Sequence, residues 1–330
     1  MIWVAWRQHR YQALAGAAAL AALAVFLLPT GLGISHTFQS SGLAHCLATP
    51  RTDCSGLGDA FDRLYNRYQF LVPLFLVAPV LLGMFWGAPL IAREIENGTH
   101  RLAWTQGVSR REWVTTKLGV VTLSVIAGAA AFAALVTWWS RPLVAAGTDR
   151  FDPGIFDLRG VVPIAYAVFA VVLGVAVGSV ITKTLPAIGV TIAAFIAVRF
   201  TITAFLRQHY LPLKHAVYSF TGPRGGTAHV ADWIVSENTI DKFGHVVSRG
   251  GGLDFGYLAA HCPAVAAAGP FTVKGSAAAD ACIRSLGLKT AVAFQPASRF
   301  WTFQWIEFGL YIGLALALVA FVIWRVKRLS

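Results

Sequence analysis

The stretch Val161-Val-Pro-Ile-Ala-Tyr-Ala-Val-Phe-Ala-Val-Val-Leu-Gly-Val-Ala-Val-Gly-Ser-Val-Ile181 contains no Asp, Glu, Lys or Arg. At 1.5 Å per residue it is long enough to cross a hydrocarbon core about 30 Å thick; a surface helix of a soluble domain would instead show an apolar stripe and a polar face. After only Thr182-Lys183-Thr184 a second apolar run begins. Continuous hydrophobicity places spans near residues 12–34, 70–91, 118–139, 161–181, 185–206 and 303–324. The expected fold is an all-α integral membrane protein: one domain over residues 1–330 with six transmembrane helices, and an extracytoplasmic loop or subdomain over 207–302.

Composition agrees. Of the 330 residues 56% belong to AVILMFWYC and only 13% are charged, and the mean hydropathy is +0.62. Soluble domains carry roughly a quarter charged residues, so the composition argues against a soluble enzyme. The net charge of +12 would raise nucleic acid as a partner in a soluble chain, but no zinc-finger spacing or long basic tail accompanies it. Topology accounts for much of the charge. Arg7 and Arg10, then Arg93, Arg101, Arg110, Arg111 and Lys117, then Lys183, then Arg325, Lys327 and Arg328 crowd into short segments between or beside spans. The opposite loops are more sparsely basic. The positive-inside rule therefore puts both termini in the cytoplasm of a cell membrane, and a bacterial one is expected.

All four cysteines, Cys46, Cys54, Cys262 and Cys282, fall in segments assigned to the outside, where disulfides persist. Two local bridges, Cys46–Cys54 and Cys262–Cys282, are the simplest of the three possible pairings. Free buried thiols are the alternative. The 207–302 segment, punctuated by Gly222-Pro223, Gly225-Gly226 and Gly250-Gly251-Gly252, reads as loop-rich. The first apolar run follows Arg7 and Arg10 as a secretory signal would, but its length and the five later spans mark it as a retained helix.

Two segments point to function. Residues 1–10 put Ile2 and Trp6 at helical spacing with Arg7 and Arg10 displaced from them, which fits a short N-terminal interfacial helix. In the inner loop 92–117, Glu94 and Glu96 end the second span and Asn97-Gly98 breaks the helix. Thr99 is a plausible cap for a short helix over about 100–106, which Gly107 ends, and Ser109 with Glu112 reads as a capping box that launches the third span. The product is a short helix displaying Leu102 and Trp104 beside Arg101, suited to docking. A blander reading has Glu94 and Glu96 pairing with Arg93 or Arg101 on a solvated turn. Within the spans the ionisable residues Arg199 and Glu307 are a possible intramembrane pair, with snorkelling of Arg199 as the alternative. Gly174/Gly178 and Gly309/Gly313 fit close helix packing.

The run Arg93-Glu-Ile-Glu-Asn-Gly-Thr99, followed by an apolar helix, Val108-Ser109-Arg110 and Lys117, resembles the signature of the ABC-2 type permeases, the membrane subunits of ATP-driven exporters. Gln106-Gly107 stands where family members often carry Pro. The resemblance implies that residues 98–107 form a cytoplasmic coupling helix docking on a separate nucleotide-binding subunit. The interface would include Glu94, Glu96, Gly98, Thr99, Arg101, Leu102, Trp104 and Arg110; Lys183 is a candidate second, smaller contact, with an ordinary positive-inside anchor as the alternative reading. It further implies a non-catalytic chain without a cofactor of its own, an ABC ATPase dimer binding ATP and Mg, and a second permease subunit, a homodimer being favoured. Consistently, the chain has no Gly-x-x-x-x-Gly-Lys-Ser/Thr loop. No metal-ligand cluster is expected from its scattered histidines. A membrane-anchored sensor or immunity protein with a ligand-binding outer loop is the second reading, and a secondary carrier, which would need buried carboxylates, a weaker third.

Overall fold

A computed structural model of the chain describes residues 2–49, 54–65, 68, 70–98, 109–147, 150–219, 232–253, 255–268 and 273–328. It forms two compact units, one of Met1–Thr148, Asp152–Tyr210 and Trp301–Ser330, the other of Asp149–Phe151 and Leu211–Phe300.

Six helices of the first unit are long and apolar enough to span a membrane. They are α1 (Ile2–Ser40), α2 (Leu71–Glu96), α3 (Arg110–Trp139), α4 (Val162–Val180), α5 (Thr184–His209) and α6 (Phe300–Lys327). Each expected span falls on one of these helices, several of which are longer than hydropathy alone suggests. The separate interfacial helix is not: Ile2–Ser40 is one uninterrupted helix. No breaker separates Arg10 from the apolar run, so the helix continues to about 58 Å, well beyond a bilayer core.

Helix α4 lies at the centre, buried almost throughout, with α2, α3 and α5 packed around it. Its approach to α2 is backbone against backbone. A Cβ on Gly174 would stand 2.5 Å from the Gly83 carbonyl oxygen, and one on Gly178 would stand 2.5 Å from that of Ala88. Gly83–Gly87 forms a π-helical turn inside α2 at this contact. The Gly174/Gly178 pair therefore serves packing within the chain, whereas Gly309 and Gly313 have nothing within 4 Å of an added Cβ. Two clusters extend the core. Ile91, Trp113, Val114, Leu118, Val175, Val322 and Val326 join the ends of α2, α4 and α6 to the start of α3. Leu27, Ile34, Leu43, Phe61, Phe75 and Trp139 pack the other end, where Cys46 and Cys54 are bonded with Cα atoms 5.9 Å apart.

The second unit corrects the all-α expectation. It carries a four-stranded antiparallel sheet in the order β1-β4-β2-β3, from β1 (Lys214–Ser219), β2 (Trp233–Ile240), β3 (Val246–Arg249) and β4 (Lys289–Gln295). Val292 and Phe294 of β4 pack with Ala216, Tyr218 and Ile234 on one face. Phe151 stacks on Trp233 with ring centroids 5.6 Å apart. Cys262 and Cys282 bridge the helical part of this unit, Cα atoms 6.0 Å apart. These strands have four to eight residues and were hidden among Gly and Pro, because a strand that short leaves no trace in a span-length hydropathy window.

Candidate functional site

Two groups of polar side chains lie at opposite ends of α4. At the first end, α2 stops because Gly98 adopts a left-handed conformation (φ 70°), while Asn97 N and Gly98 N donate back to Arg93 O and Ile95 O. The two glutamates before this stop face different neighbours. Glu94 is salt-bridged to Lys117 of α3, whose side chain is only 7% exposed and whose Nζ lies 5.1 Å over the Trp113 ring. Glu96 Oε2 accepts hydrogen bonds from Thr184 N (3.0 Å) and Thr184 Oγ1 (2.6 Å). It thereby supplies the first turn of α5 with the cap that Lys183, in the N-cap position, does not provide.

Glu94 and Glu96 are thus tied to α3 and α5, and Arg101, one of the partners expected for them, lies outside the described residues. The returning strand of the loop is also anchored. Ser109 Oγ accepts from Glu112 N at 3.2 Å, the capping geometry expected, and Arg110 Nη1 donates to Lys327 O at the end of α6 at 3.4 Å. Lys183 is exposed and Gly98 forms the stop. Thr99, Arg101, Leu102 and Trp104, with the rest of the expected coupling helix, lie outside the described residues.

The second group is a buried charge network that corrects the Arg199–Glu307 pairing. Arg199 Nη2 lies 2.6 Å from Asp157 Oδ2, and Glu307 is held by Arg207, with Nη2 to Oε1 at 2.8 Å and Nε to Oε2 at 2.9 Å. Arg207 Nη2 also reaches Asp157 Oδ1 at 2.5 Å. The Tyr166 hydroxyl bonds both carboxylates, and Tyr210 OH donates to Glu307 Oε2 at 3.2 Å. Arg207 and Glu307 are 2% and 0% exposed. Two cations face two carboxylates, a balance that tolerable burial requires.

Arg199 and Arg207 act together because of the π-helical turn Ile202–Leu206 between them. Eight α-helical residues would rotate Arg207 about 80° from Arg199, and the one residue absorbed by the wider turn reduces this to about 20°. Gln304 of α6 completes the assembly. Its Oε1 accepts from Val161 N and Val162 N at the start of α4, and its Nε2 donates to Phe156 O. Sequence reading missed Asp157, Tyr166, Arg207 and Gln304. The one available signal was the unpaired cost of Arg199 in an apolar helix, which demanded a carboxylate without saying which. Among the described residues no group of His, Cys, Asp and Glu is arranged to hold a metal.

The model of the family described as ABC-2 membrane transporter related matches residues 17–207. This is more than half of the chain, and the chain belongs to that family. No curated protein and no solved structure matches it. The matched region takes in most of the first span, the next three and nearly all of the fifth, both glutamates at the end of α2, and the network residues Asp157, Tyr166, Arg199 and Arg207. Family membership makes the chain a multi-pass transporter permease, a class of membrane component associated with an ABC ATPase.

Proposed function

We propose that this permease couples ATP hydrolysis by a separate cytoplasmic nucleotide-binding subunit to export of a substrate by alternating access. The observation that carries the reading is the pair of bonds Glu94–Lys117 and Glu96–Thr184. A push on the segment between α2 and α3 would reach α2 directly, α3 through Lys117 and α5 through Thr184. A lever needs this, and a solvated turn would not provide it. The positive charge around residues 93–117, Lys183 and 325–328 supports the cytoplasmic placement of this end.

In this reading residues 98–107 form the coupling helix, with Arg101, Leu102 and Trp104 against the ATPase and Arg110 and Lys183 beside it. Catalysis, ATP and Mg belong to the partner, and a second copy of the permease completes the transport path. The test is to isolate the tagged chain from its native membrane in mild detergent and identify what copurifies. A stoichiometric nucleotide-binding subunit, lost on Trp104→Ala with Glu96→Ala, supports the reading. The chain emerging alone or with a secreted ligand overturns it. That second outcome would favour a sensor or immunity protein, for which the compact unit of Asp149–Phe151 and Leu211–Phe300 is the natural ligand-binding part.

A further inference from the structure

A cavity of about 310 Å³ opens between the first turns of α1, the end of α2 and the start of α3. Its size falls within the range of about 300–1,000 Å³ usual for small-ligand sites. Trp86, Leu90 and Val121 supply an apolar part of its wall, and the polar part is made by His9, Gln12, Arg93, Glu94 and Lys117 among others. Lys117 and His9 are both buried. Two cations thus face one carboxylate. Lys117 is already committed to Glu94, while Arg93 is exposed and makes no ion pair among the described residues. The wall therefore holds an uncompensated positive charge suited to an anion.

His9 adds a second requirement. Gln12 Nε2 donates to Phe85 O (3.5 Å), which turns the amide oxygen of Gln12 toward His9 Nδ1 at 2.6 Å. Nδ1 therefore carries the ring hydrogen, and Nε2 is left as a buried lone pair with no partner among the described residues. It calls for a hydroxyl or amine donor. The depth of the cavity indicates where such a molecule comes from. On the same turns of α1 as His9, the side chains of Trp3, Trp6 and Tyr11 are exposed, with Arg7 5.1 Å over the Trp3 ring and Arg10 bonded to the Tyr11 hydroxyl. Exposed aromatic rings interleaved with arginines mark the headgroup layer of a bilayer.

We propose that this cavity binds the headgroup of an anionic, hydroxyl-bearing phospholipid. The phosphate lies against Arg93 and Lys117, and a headgroup hydroxyl donates to His9 Nε2. Because Glu94 and Lys117 form part of the wall, an occupied site braces the contact between α2 and α3. The inference does not depend on the transport reading.

The test uses the full chain, delipidated in detergent and titrated with phosphatidylglycerol, phosphatidylcholine or free inorganic phosphate, with bound lipid counted by native mass spectrometry. Phosphatidylglycerol is expected to bind in one copy more tightly than phosphatidylcholine. Arg93→Ala should weaken it about tenfold by removing a charge-assisted contact. Gln8→Trp, which fills the cavity from an exposed position on its rim, should abolish it while leaving the protein monodisperse. Equal retention of both lipids, or retention unchanged in both variants, overturns the proposal. Competition by inorganic phosphate at the affinity of the lipid overturns the lipid assignment in favour of a soluble phosphate.

Discussion

Glu96, the last residue of α2, caps the first turn of α5 through Thr184, a residue 88 positions further along the chain. The helix end that would move with the α2–α3 segment is in this way fastened to the start of α5, which packs directly against α2 through Ala88, Ala92 and Ala187.

Breaking that fastening separates coupling from folding. Glu96→Ala removes both accepted bonds, while Glu96→Gln keeps an acceptor oxygen. Glu96→Ala is expected to reduce transport by roughly threefold to tenfold with membrane insertion unchanged, and Glu96→Gln to reduce it less. A transport assay in vesicles beside a protease-accessibility test of insertion checks this. Full transport by Glu96→Ala would remove Thr184 from the lever.

Lys117 is buried, so losing its partner should matter more than losing the pair. Glu94→Ala is expected to cost about 2 kcal/mol of stability, much of it recovered when Lys117→Met is added. Thermal melting of the two single variants and the double variant in detergent measures the coupling directly.

The charge network at the other end should behave the same way on a larger scale. Arg207→Met leaves the buried carboxylates of Glu307 and Asp157 short of a cation, for a loss of about 3–5 kcal/mol. Adding Glu307→Leu should restore part of that loss, since the buried charges are again balanced between Arg199 and Asp157. A double variant no more stable than Arg207→Met would show that the residues act separately.

Glycines offer a comparison with its own control. Gly174→Ala forces a methyl to within 2.5 Å of the Gly83 carbonyl oxygen, a backbone atom that cannot rotate away. A loss of about 1–3 kcal/mol is expected. Gly309→Ala meets open space and should be neutral or stabilise α6 by up to about 1 kcal/mol. Melting temperatures of the two variants distinguish packing from helix propensity.

The features legible in the sequence are those whose causes are local. Six apolar runs of membrane length, the stop at Gly98, the cap at Ser109 and the short-range bridges Cys46–Cys54 and Cys262–Cys282 each depend on residues close together in the chain. The uninterrupted α1 was misread as two pieces because charge and aromatic placement suggest a membrane surface while saying nothing of a helix break. The sheet over residues 214–295 was missed because β1 pairs with β4 from the far end of that segment.

What the sequence by itself determined is therefore the class of protein, its spans and where the chain turns. Hydropathy and capping are properties of neighbouring residues and need no partner from elsewhere. Only the tertiary structure decided which charges meet: Arg199 with Asp157, Arg207 with Glu307, Glu94 with Lys117 and Glu96 with Thr184. A buried charge must find compensation, but Coulomb's law is indifferent to chain separation. The choice of partner is made by how the helices pack around α4, down to the single extra residue in the turn Ile202–Leu206 that brings Arg207 round to the face of Arg199.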